Sequence, residues 1–122
     1  MSVAERLREA VTPIVPELAE DEYTGEASTY CTFSISEEPA AFWDDNPNAV
    51  RCSIQLLLYI PFNANPNPIK QALWDALVGA DFTAPTVEPL GADAIAGKCF
   101  SFEFEFMDWS VSRQKEGGDH ES

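Results

Sequence analysis

Tyr30-Cys-Thr-Phe-Ser-Ile-Ser36 and, beyond an acidic loop with two prolines, Val50-Arg-Cys-Ser-Ile-Gln-Leu-Leu-Leu-Tyr-Ile60 are the segments that decide the fold. Both alternate with period 2. Cys31, Phe33 and Ile35 share one side of the first, and Cys52, Ile54, Leu56, Leu58 and Ile60 share one side of the second. Tyr30, Thr32 and Ser34 lie opposite, as do Arg51, Ser53, Gln55 and Tyr59. Such alternation reads as antiparallel strands with one face on a core. The outward side chains are mixed in type and suggest no reaction chemistry. The pattern points to a scaffold that presents surfaces.

A later strand repeats the signal, with Phe100, Phe102, Phe104 and Phe106 on one face and Ser101, Glu103 and Glu105 on the other. Two helices flank these strands. Ser2 and Glu5 form a capping box ahead of Val3, Leu7, Ala10 and Val11, and Pro13 and Pro16 end that helix. Asn67 as N-cap and Pro68 as first helical residue open the second, which Ile69, Leu73 and Leu77 line and Gly79 closes. Residues 17–27 read as a polar lead-in, 37–49 as the loop between the central strands, and 81–88 as a weak extended segment. Pro89 to Gly97 reads as a loose Gly/Ala-rich link. The expected fold is α+β: an antiparallel sheet of about four strands packed by two helices, in the order α-β-β-α-β-β. One domain spans residues 1–109. Residues 110–122 have the polar composition of a disordered tail.

A chain of 122 residues suits a single core. No apolar run approaches the roughly 20 residues needed to span a bilayer, so no membrane partner is expected. The amphipathic, charged N-terminus is unlike a signal peptide, and the chain is expected to stay where it is made. Three widely spaced cysteines without a Cys-x-x-Cys argue for structural thiols rather than a disulfide framework or a zinc site. Twenty-one acidic residues against seven scattered basic ones give a formal net charge of −14, which disfavours direct DNA binding. It serves solubility, repels DNA or imitates it.

The usual catalytic constellations do not assemble. His120, the only histidine, lies in the acidic tail. The acid clusters Glu20-Asp21-Glu22, Glu37-Glu38 and Asp44-Asp45 lack the interlocking spacing of a divalent-cation loop. No catalytic, cofactor or metal residue is therefore assigned, and no enzyme is expected. Glu103 and Glu105 point the same way, roughly 7 Å apart on one strand. Phe42-Trp43, beside Asp44 and Asp45, either anchors a protein partner or folds back on the sheet.

Tyr23-Thr-Gly-Glu-Ala-Ser-Thr-Tyr-Cys-Thr-Phe33 after an N-terminal helix, and Phe42-Trp-Asp-Asp-Asn-Pro-Asn-Ala-Val-Arg-Cys-Ser-Ile-Gln-Leu-Leu-Leu-Tyr59, resemble small proteins of tailed-phage and prophage morphogenesis clusters. The amphipathic second helix, the turn from Gly79 to Phe82 and the closing Phe strand extend the likeness over residues 3–107. These are the tail-completion, tail-terminator and head–tail joining proteins. The resemblance implies a non-enzymatic structural subunit, assembled in the host cytoplasm and placed at the virion's head–tail junction. It implies a homo-oligomeric ring, usually a hexamer, that caps the tail tube, meets the head connector and lets DNA pass. Phe42, Trp43, Asp44 and Asp45 are the candidate interface, and Glu103 and Glu105 the candidate lumen-facing acids. The alternative is an acidic DNA mimic that occupies the groove of a host nucleic-acid-binding protein.

Overall fold

The computed structural model describes residues 2–39, 50–93 and 97–108. Helix α1 spans Val3–Val11, strand β1 Leu18–Glu20, β2 Tyr30–Pro39, β3 Val50–Ile60, helix α2 Asn67–Gly79, β4 Thr86–Asp93 and β5 Gly97–Asp108. The class is α+β, with two helices as expected. The sheet differs: it has five strands in the order β1-β2-β3-β5-β4. β1 runs parallel to β2, while β2·β3, β3·β5 and β4·β5 are antiparallel.

The central pairing follows from the alternation of β3. Phe33, Leu56, Phe102 and Val87 form one row across four strands, and Cys31, Leu58, Phe100 and Pro89 the next. Ile35, Ile54 and Phe104 make a third. Since paired residues of an antiparallel ladder point the same way, one register puts these three rows on one face. Phe33, Leu56, Leu58, Ile60 and Phe102 are there almost wholly buried.

α1 and α2 cover that face. In α1, Val3, Leu7 and Val11 point inward. The capping box is made as expected: the Ser2 N–H donates to Glu5 Oε1 at 2.8 Å and the Glu5 N–H donates to Ser2 Oγ at 3.1 Å. In α2, Leu73 and Leu77 are buried and Ile69 packs at the margin. Arg6 ties the helices together. Its Nη1 donates to the Ala80 carbonyl at 3.3 Å, and its guanidinium lies 4.7 Å from the Phe106 ring centre. Among the described residues no helix is long and apolar enough to cross a membrane.

Five local readings need correction. β2 runs on through Glu37 and Glu38 to Pro39, inside the supposed 37–49 loop, because these residues find ladder partners in Cys52, Arg51 and Val50. The polar lead-in contains β1, held through the Cys31 N–H donating to the Glu17 carbonyl and the Asp21 N–H to that of Phe33, both at 2.8 Å. The extended segment lies further along, at Thr86–Asp93, so most of the supposed loose link is strand. An edge strand tolerates Pro89 because its outer side has no ladder partner. Pro66, not Asn67, is the N-cap of α2, and Asn65 Oδ1 accepts from the Asn67 N–H at 3.1 Å. Beyond Gly79 the backbone reverses at Asp81, whose φ of 75° is left-handed. Aspartate occupies that region more readily than most residues.

Candidate functional site

Among the described residues neither helix covers the other face of the sheet, and that face is the candidate site. Its rows are Tyr30–Tyr59–Cys99, Thr32–Leu57–Ser101–Glu88, Ser34–Gln55–Glu103–Thr86, Ser36–Ser53–Glu105 and Glu38–Arg51–Met107. Short hydroxyl side chains fill the middle. Around them opens a wide-mouthed depression of about 570 Å³, lined by Ser34, Ser53, Gln55, Thr83, Glu103 and Glu105 among others. Thr32 and Ser101 are buried although they belong to this polar face, because they lie low beside the longer Leu57. Gln55 Nε2 donates to Ser101 Oγ at 3.3 Å, satisfying that buried hydroxyl.

Glu103 and Glu105 stand where the alternation predicts, exposed and on the same side of β5. Thr83 fixes the backbone beneath them: its N–H donates to the Glu105 carbonyl at 3.0 Å and its Oγ1 accepts from the Glu105 N–H at 2.9 Å. Among the described residues neither carboxylate has an ion-pair partner; the pairs present are Arg6–Asp81 at 3.7 Å and Arg51–Glu38 at 3.6 Å. The other acid on the depression's side of the face, Glu88, sits two rows from Glu105. The result is a wet, anionic surface rich in hydrogen-bonding groups. Phe42, Trp43, Asp44 and Asp45 lie outside the described residues.

The five basic side chains of the described residues are all committed elsewhere. Arg6 and Arg51 are bonded as above, the Arg8 guanidinium lies 5.2 Å from the Phe33 ring centre, and Lys70 Nζ lies 4.8 Å from that of Phe100. Lys98 Nζ donates to the Ala64 carbonyl at 3.1 Å. A phosphate-binding surface needs clustered, free cations, and these are dispersed. Among the described residues no group of three His, Cys, Asp or Glu could hold a metal ion.

One feature of this face is not apparent in the motif reading. Tyr23, Tyr30 and Tyr59 stack in a ladder at its corner, with ring centres 4.2 and 4.6 Å apart. Tyr23 is anchored by donating to Glu17 Oε1 at 2.8 Å. The available signal was that Tyr30 and Tyr59 both fall on the polar side of their strands, so antiparallel pairing could bring them together. Cys99 sits beside Tyr59 on this face, and partial burial raises its thiol pKa. Cys31 and Cys52 are buried on the apolar face, as expected of small hydrophobes. Burial pushes the Cys31 thiol up to about 12.

No family model matches the chain, and no curated protein matches it.

Proposed function

We propose that this chain is a structural, non-enzymatic subunit of a tailed-phage or prophage head–tail junction, a tail-terminator or tail-completion protein. Copies close into a ring, six in the simplest case, that caps the tail tube, meets the head connector and leaves a channel for DNA. The virion's head–tail junction is then its site of action, reached after assembly in the host cytoplasm. The bare sheet face carries this reading. A channel wall should be wet, since DNA is hydrated, and should not grip phosphates. Hydroxyls meet both needs together with Glu103 and Glu105, which have no ion-pair partner among the described residues. Salt limits their repulsion of phosphates to about 8 Å, so they act only on DNA passing close by. The sequence resemblance over residues 3–107 supports the same role.

The native mass of the purified protein, measured across concentration and salt, tests the proposal. A discrete closed oligomer supports it. A strict monomer under all conditions counts against it and favours the acidic-mimic alternative. With a ring in hand, Glu103→Lys with Glu105→Lys should slow DNA passage and lower infectivity. Unchanged infectivity with unchanged rings would remove these two residues from the lumen.

A further inference from the structure

The depression on the open face faces a simple question of charge matching. Seven basic residues belong to the chain, and five are committed within the described fold, to two carboxylates, four aromatic rings and two carbonyls. Arg113 and Lys115 remain. Both follow β5, the strand that carries Glu103 and Glu105, which have no ion-pair partner among the described residues. Between Asp108 and Lys115 the sequence Trp109-Ser-Val-Ser-Arg-Gln-Lys115 holds two cations and no acid, so it is the most basic stretch of an otherwise acidic chain.

We infer that the open sheet face is a docking surface for the chain's own segment around Arg113 and Lys115, with Glu105 and Glu103 as its anionic receptors. The reach is sufficient. Going back along β5 from Asp108, Glu105 is roughly 10 Å away and Glu103 roughly 17 Å, at about 3.3 Å per residue. Going forward, Arg113 can extend up to roughly 17 Å and Lys115 up to roughly 24 Å from the same point. The nearer acid of this face, Glu38, already pairs with Arg51, which leaves Glu105 and Glu103 as the next receptors. The depression also offers backbone-scale hydrogen-bonding partners: Ser34, Ser36, Ser53, Gln55 and Thr83 line it. An extended peptide with alternate charged and small polar side chains suits such a surface better than an apolar helix does.

This inference concerns the free subunit and does not require the ring. Zero-length carbodiimide coupling of the full-length chain tests it, since it condenses an ammonium and a carboxylate that are already in contact, with loss of water. Lys115 should couple to Glu103 or Glu105 within one chain, at a yield unchanged by dilution and lowered by salt. Coupling of Lys115 spread evenly over acids of the whole surface would overturn the inference, and so would a yield that falls on dilution, because the segment would then dock on a second copy. Trypsin supplies an independent readout at Arg113 and Lys115. Glu103→Gln with Glu105→Gln should speed tail cleavage about fivefold at low salt, the effect of losing two exposed ion pairs. Glu9→Gln with Glu20→Gln removes the same charge from α1 and β1 and should leave cleavage unchanged. Equal cleavage in wild type and the Glu103/Glu105 variant, with circular dichroism showing both folded, would sink the docking, whatever the native mass says about rings.

Discussion

Gly97→Ala should be among the most damaging single-methyl additions this fold can suffer. Gly97 opens β5 with φ at +94°, a conformation that L side chains rarely adopt. A Cβ there would lie 2.3 Å from the carbonyl oxygen of Ile60 and 3.4 Å from its carbon. That oxygen belongs to backbone at the end of β3, so no side-chain rotation relieves the clash. Ordinary contact needs roughly 1 Å more. The two central strands must therefore part where Ile60 pairs with Lys98. The left-handed conformation costs about 1–2 kcal/mol with a Cβ present, and a weakened ladder bond adds about 1 kcal/mol. The sum is about 2–3 kcal/mol, a large share of the 5–15 kcal/mol typical of a domain.

At about 4 °C per kcal/mol for a domain near this size, Tm should fall by about 8–12 °C. Thermal unfolding followed by circular dichroism measures it directly. Gly91→Ala is the internal control: a Cβ at Gly91 meets nothing within 4 Å, and the change should stay within about 0.5 kcal/mol of wild type. Gly97→Ala with a Tm indistinguishable from that of Gly91→Ala would refute the reasoning. The start of β5 would then have to be looser than the register from Gly97 to Asp108 implies.

Leu56→Ala empties the middle of the Phe33–Leu56–Phe102 row, where Leu56 is fully buried. It should cost about 3–4 kcal/mol, lowering the urea midpoint without changing the m-value. Ser2→Ala removes the cap of α1 and should cost about 1 kcal/mol, read as a Tm lower by a few degrees. The thiols should separate by accessibility: Cys99 labels in the native state, while Cys31 and Cys52 label only on unfolding. Cys31 also gives stability a pH dependence. Its thiol is held protonated in the fold, with a pKa raised from 9.0 to about 12 chiefly by burial and then by the Cys99 charge. Its contribution is complete below the unfolded pKa and is lost as pH rises toward the folded value. Between those values the unfolded chain has released a proton that the native chain retains, so stability falls by about 1.4 kcal/mol per pH unit. Cys31→Ala should flatten that slope in denaturant titrations over the same alkaline window, whatever it does to stability at neutral pH.

Strong periodicity made most of the fold legible. β2, β3 and β5 each alternate over enough residues to fix face and register, and α1 announces itself by the Ser2/Glu5 box. What escaped was decided by tertiary contact rather than by local pattern. β1 is three residues, Leu18 to Glu20, with no room for alternation. It exists because β2 offers a partner edge. β4 carries Pro89 and Gly91, both strand-breaking signals, yet one-sided pairing with β5 absorbs them through a register shift between the two. At the end of α2, the glycine rule pointed to Gly79, whereas Asp81 takes the left-handed turn. Of the candidate site, Glu103 and Glu105 followed directly from period 2. The hydroxyl-lined depression did not, since its lining joins residues from four strands and from Thr83, which pairs beside β5 outside β4.

The same features that hid β4 bear on how copies of the chain would meet in the proposed ring. A continuous sheet running from one copy to the next would need two receptive edges. Pro89 removes one N–H from the β4 edge, and the shift between Pro89 and Gly91 breaks its line. The opposite edge is stepped: the three residues of β1, flanked by Glu17, Asp21 and Glu22, give way to the outer side of β2 beyond Phe33, which carries Glu37, Glu38 and Pro39. Edge-to-edge pairing therefore yields few hydrogen bonds, each worth about 1 kcal/mol net. Side chains are the better source of adhesion. Trp74 and Val78, one turn apart on the outer side of α2, remain 36% and 40% exposed, and Leu90 on β4 remains 57% exposed. Against their burial stands the mutual repulsion of subunits that each carry a formal charge of −14. Salt weakens that repulsion and leaves apolar burial intact. A ring held this way should form more readily as ionic strength rises, whereas one held by ion pairs would dissociate.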